Sequence, residues 1–164
     1  MRPPGGPAWL AWLEHTPVAV AMREWLWLYP AVEIVHIVGF VVLVGAVFAF
    51  DLRLLGLGAG LPVRGLAAHL LRWGRWGALL IVPSGVLMFA AHATEMAANP
   101  AFRLKLALMA AALVNAAVFH RVPFRSVAVW DTGPRAPVAA RLAGALSLLL
   151  WTGVIACGRL LAYL

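Results

Sequence analysis

The stretch VEIVHIVGFVVLVGAVFAF, from Val32 to Phe50, decides the fold. After His36 it carries no ionisable side chain until Asp51. It belongs to an apolar run, about residues 31–55, that is long enough to cross a bilayer, for which a helix needs about 20 residues. Glu33 and His36 nevertheless sit one turn apart near its start. A charged side chain within the hydrocarbon costs about 3 kcal/mol by insertion scales, so a partner or a function must offset it.

Composition extends this reading to the whole chain. Of 164 residues, 64% are hydrophobic and 12% charged, and the mean hydropathy is +0.92. Soluble domains are about half apolar and about a quarter charged, so this is an integral membrane protein of one domain, residues 1–164. The net charge of +7 invites a nucleic-acid reading. No nucleic acid is expected, because the arginines stand at the ends of apolar runs, where they suit loops facing an anionic lipid surface. Cys157 is the single cysteine, so no internal disulfide is possible. The bias towards Arg, Ala, Gly and Pro suggests a GC-rich bacterial genome and hence a plasma membrane.

Four runs are long enough to span: about residues 31–55, 73–95, 101–120 and 138–164. Pro30 starts the first and Asn99-Pro100 the third; the fourth follows Pro134 and Pro137. Pro83 and Gly85 are expected to kink the second. Residues 61–76, LPVRGLAAHLLRWGRW, read as an amphipathic segment leading into it. The stretch LLGLGAGL is a turn. Residues 1–30 form an interfacial preface, with Thr16 and Pro17 as N-cap and first helical position. Trp9, Trp12, Trp25, Trp27 and Tyr29 suit the headgroup level, so one or two amphipathic helices lying on the membrane are expected. No cleavable signal is expected, and the first span acts as its own insertion signal.

The predicted fold is an all-α, polytopic, up-down-up-down transmembrane four-helix bundle with an N-terminal amphipathic surface helix. Arg53, Arg64, Arg72, Arg75, Arg121, Arg125, Arg135 and Arg141 fall on one face. Arg2, Arg23, Arg103, Lys105 and Arg159 fall on the other. Eight against five puts the first set in the cytoplasm and both termini in the periplasm.

The polar residues suggest two arrangements. Glu33 and Asp51 are 18 residues apart, five helical turns, and so are Arg141 and Arg159. On antiparallel spans this predicts structural ion pairs Glu33–Arg159 and Asp51–Arg141, one near each surface; separate snorkelling charges are the alternative. The second arrangement joins EIVH, Glu33 and His36, to HATE, His92 and Glu95. Both motifs lie near the same surface, and residues three apart share a helix face. Two histidines and two carboxylates meeting from two helices are the raw material of a transition-metal site. Two facing histidines, His36 and His92, are what haem b needs for axial ligation, with the carboxylates on the far ring nitrogens. Polar packing without a cofactor is the competing reading. His120, near the other surface, would ligate a second haem with His69. Asn115 is expected to bond across helices. No phosphate loop, Cys pair or nucleophile elbow is present, so the residues name no enzymatic reaction.

Four strings, WLYPAVEIVHIVG, FDLRLLGLG, NPAFRLKLALMAAALVNAAVFH and CGRLLAYL, resemble a family of bacterial four-span membrane proteins known only as a domain of unknown function. The matching positions are Glu33, His36, Asp51, Arg53, Asn99, Arg103, Lys105, Asn115, His120, Arg159 and Tyr163. The resemblance implies the four-span fold and no activity. A layout with a haem near each surface is similar to b561-type cytochromes in architecture alone. The expected function is a small b-type haem electron-transfer protein of the plasma membrane. The alternatives are a non-haem metal-binding or transport protein using Glu33, His36, His92 and Glu95, and a cofactor-free structural subunit. Expected partners are the lipid bilayer and either a second copy or a membrane redox partner.

Overall fold

The computed structural model describes residues 7–163; Arg2 and Leu164 lie outside the described residues. Two short helices come first, α1 (Ala8–Glu14) and α2 (Pro17–Glu24). Thr16 caps α2 as its position predicts. Its Oγ1 accepts from the Ala19 amide at 3.4 Å, and Pro17 takes the first helical position. Leu10, Ala19 and Met22 are buried, while Trp9, Trp12, Trp25 and Trp27 face outward.

Then follow α3 (Leu28–Leu54), α4 (Val63–Ala91), α5 (Ala93–Ala98), α6 (Pro100–Arg121), a 3₁₀ turn at Pro123–Ser126, α7 (Val127–Trp130) and α8 (Val138–Leu160). Helices α3, α4, α6 and α8 are each long and apolar enough to cross a membrane. Most of their apolar side chains, such as Ile34, Val41, Leu79 and Leu149, point away from the protein. That is the pattern of helices whose outer surface is covered by lipid.

Helix α3 starts at Leu28, so Pro30 lies in its first turn, where no amide is missed. The amphipathic segment leads into the second span without a break: α4 runs from Val63, ten residues before Trp73, and holds Pro83 inside it. Its other end comes early. The chain breaks at His92, and α5 restarts at Ala93. Asn99 caps α6 through two bonds to Oδ1, from the amides of Ala101 at 2.8 Å and Phe102 at 3.3 Å. Gly56 and Gly58 adopt positive φ in the α3–α4 turn, as LLGLGAGL requires.

The four long helices pack as two antiparallel hairpins, α3 with α4 and α6 with α8, joined by contact of α3 with α8. In the first hairpin, backbone meets backbone. A Cβ on Gly77 would lie 2.7 Å from Gly39 O, so only glycine allows this approach. The backbones of α4 and α6 stay apart, and the two helices meet only where Phe89 stacks on Phe102, with ring centroids 5.4 Å apart, at the end near the termini. One apolar core, with Phe50, Leu54, Val63, Phe119 and Trp130, closes the face away from the termini. A second, around Val44, Ala112, Trp151 and Val154, fills the middle.

Candidate functional site

His36 faces α4, as a polar residue inside a span must face protein. Its Nδ1 lies 3.0 Å from Ser84 Oγ. Ser84 Oγ in turn donates to Leu80 O. A hydroxyl has one proton, so His36 Nδ1 donates to Ser84, and Nε2 keeps its lone pair. Gly85 supplies the room, since a Cβ there would stand 3.1 Å from His36 Cε1.

His92 is elsewhere. It ends α4 eight residues after Ser84, about 12 Å further along the helix axis, and packs edge-on against Tyr29, with ring centroids 5.7 Å apart. The shared depth expected for His36 and His92 is therefore not found. Nor does HATE present one helix face, because the helix breaks at His92 and Glu95 belongs to α5. Glu33 and Glu95 are exposed. Among the described residues no three His, Cys, Asp or Glu side chains gather where they could hold a metal.

The break has a visible cause in the N-terminal helices. Glu14 Oε1 accepts from the amide and the hydroxyl of Thr94, both at 2.7 Å, and so caps α5 from a distant part of the chain. Arg23 donates to Ala91 O at 2.9 Å, capping the end of α4, and to Glu14 O at 2.7 Å. Opposite charges thus sit at opposite helix ends, each with the sign that the helix dipole favours.

The two expected ion pairs are not made. Arg159 donates to the Tyr163 hydroxyl and stacks over its ring, 4.8 Å from the centroid. Intrahelical spacing satisfies it more cheaply than reaching across to an exposed Glu33. Arg141 is exposed, and Asp51 turns inward to Ser147 on α8.

Asp51 is the most unusual of these groups. It is 5% exposed, and its Oδ2 has no hydrogen-bond partner among the described residues. It lines a cavity of about 280 Å³ in the half of the bundle away from the termini. Because α4 and α6 stay apart, this cavity lies between the hairpins. Its walls are apolar, among them Leu43, Leu70, Gly74, Ala116 and Trp151. Its polar groups are Asp51, Ser147, Asn115, His120 and Arg75. Asn115 Nδ2 donates across the hairpin to Ala143 O at 2.9 Å, as expected. His120 is edge-on to Phe119 and Phe124. His69, its expected partner, is exposed and accepts from Trp73 Nε1 through Nε2 at 3.3 Å. Trp donates only, so that lone pair is already used.

Sequence reasoning missed the cavity, and with it the pairing of Asp51 with Ser147. A serine amid apolar residues of α8, about three turns before Cys157-Gly158-Arg159, was the available signal. It also gave Lys105 no role. That side chain points between helices, 3.8 Å from where a Gly158 Cβ would be.

Fold and site together define a four-span integral membrane protein with ionisable side chains held inside its bundle. The chain belongs to a family of unknown function, DUF6644, whose model matches residues 12–164. No curated protein and no solved structure matches it, so the analogy to b561-type cytochromes is carried no further.

Proposed function

We propose that this protein binds a lipid-soluble small molecule, which enters sideways from the bilayer between α4 and α6. One observation carries the reading: the hairpins leave an apolar cavity lined in part by Asp51, whose buried Oδ2 has no partner among the described residues. An unmet acceptor in hydrocarbon is costly, and a ligand with an apolar body and a polar head would meet it. Binding sites in bundles commonly lie between helices and combine apolar walls with a few polar groups.

Gly74→Leu tests this. A side chain there starts in open space, since a Cβ would touch Leu43 Cδ1 alone, at 3.5 Å, and its extension fills the cavity. Native mass spectrometry of the wild-type protein released from membranes should show a retained lipophilic molecule that Gly74→Leu loses, with helix content unchanged by circular dichroism. Identical adducts on both proteins would remove the reading.

The redox reading has less support. A haem held by His36 and His92 needs both imidazoles to face one space, and one meets Ser84 while the other meets Tyr29. For location, the proposal is the bacterial plasma membrane with both termini periplasmic, supported by the eight-to-five division of Arg and Lys between the faces.

A further inference from the structure

The cavity lining holds one buried acid, Asp51, beside the polar groups of Ser147, Asn115, His120 and Arg75. Asp51 presents Oδ2 without a partner. Asn115 uses one N–H of Nδ2 on Ala143 O and keeps its carbonyl oxygen and its second N–H for a ligand. His120 adds a ring nitrogen that makes no hydrogen bond among the described residues. Among the described residues no cation pairs with Asp51: Ser147 is its polar neighbour, and Arg75, which also lines the cavity, is exposed. Arg53, two residues along α3, points away. Its guanidinium is held by the carbonyls of Ala59, Leu61, Asp131 and Gly133. A carboxylate enclosed by apolar walls favours a ligand that brings both a positive charge and hydrogen-bond donors.

We propose that the lateral cavity between α4 and α6 selects lipophilic amines, binding the ammonium at the Asp51 carboxyl group and Asn115 Oδ1 with the apolar body against Leu43, Leu70, Ala116 and Trp151. This rests on the lateral binding site proposed above and names its ligand class. A neutral alcohol of the same shape offers one donor and no charge. A carboxylate of that shape is repelled by Asp51.

Three cage compounds of equal shape separate the possibilities: 1-aminoadamantane, 1-adamantanol and adamantane-1-carboxylate, titrated calorimetrically into the protein in lipid nanodiscs. The amine should bind at least about tenfold more tightly than the alcohol, the step expected when a positive charge on the donor is added to a hydrogen bond with a carboxylate. The carboxylate should bind most weakly. Asp51→Asn, nearly isosteric, should bring the amine down to the affinity of the alcohol and weaken the alcohol far less than the amine. Asp51→Glu should restore the preference for amine, which controls for a folding defect in the first variant. Equal affinity for all three compounds, or an amine preference that survives Asp51→Asn, overturns the amine selectivity and leaves the lateral site standing. Binding of none of the three overturns both.

Discussion

Arg53 is 2% exposed, yet its guanidinium meets no carboxylate. Its Nε donates to Leu61 O at 2.8 Å and its Nη2 to Ala59 O at 3.0 Å, with longer bonds to Asp131 O and Gly133 O. One cation therefore gathers the carbonyls of two loops that are far apart in sequence. The planar fork of Arg spans several acceptors at fixed angles, which the point charge of Lys does not. Arg53→Ala should lower stability by at least about 3 kcal/mol, because several buried acceptors lose a charged donor together. Arg53→Lys should recover less than half of that loss. Thermal unfolding in detergent measures both, and full recovery by lysine would show that charge alone matters here. Asp51 lies two residues away on the same helix, and its Oδ2, like Arg53 Nη1, has no partner among the described residues.

At the scale of elements, glycine decides how closely α3 and α4 approach. A Cβ on Gly77 would stand 2.7 Å from Gly39 O and 2.8 Å from Leu43 N, both backbone atoms that cannot step aside. Gly77→Ala must push the helices apart and should cost about 1–3 kcal/mol, as overpacking does. Gly45 lies on the same helix as Gly39 and has nothing within 4 Å of an added Cβ. Gly45→Ala should therefore be neutral or stabilising by up to about 1 kcal/mol, through helix propensity. Equal losses from the two substitutions, read from melting curves, would remove the distinction.

The N-terminal helices form a second element-level device, the clamp at the α4–α5 break. Burial alone would raise the pKa of Glu14. The hydrogen bonds from Thr94, with Arg23 and His15 nearby, outweigh it and hold the carboxyl below its ordinary value. A carboxyl whose pKa is lower in the folded state binds its proton less readily there than when released. The clamp thus has its full strength above the ordinary glutamate pKa of about 4.3 and weakens as pH falls through the lowered one. Limited proteolysis between Glu14 and Glu24 should accelerate as pH drops below that range with an acid-active protease. Glu14→Gln should be cut faster at neutral pH and show little further change on acidification. An unchanged wild-type rate across this window would show that the carboxylate does not hold the clamp.

For the whole molecule, four crossings put both ends of the described chain on one face. The proposed direction follows from Arg and Lys. A reporter inserted near Gly60 should read as cytoplasmic, and one fused after Leu164 as periplasmic. The opposite result would reverse the orientation and keep the four crossings. The lateral cavity is also a property at this scale: it exists because α3 joins α8 while α4 and α6 remain apart.

The sequence by itself determined the membrane fold, because long apolar runs leave the chain one way to satisfy its backbone in lipid, within helices. It also determined the local caps at Thr16 and Asn99 and the glycine turn after α3, since each depends on neighbours a few residues away. Periodicity placed Glu33 and Asp51 in line on α3, but their partners lie on other helices. Those depend on rotation, depth and spacing between helices, which a linear pattern does not encode. Tertiary structure alone decided that His36 meets Ser84, that Glu14 and Arg23 cap the break at His92, and that Asp51 opens on a cavity. The physical reason is the same in each case. Helix formation is satisfied within one segment, whereas a buried polar side chain is satisfied by whichever segment the packing of the others brings to it.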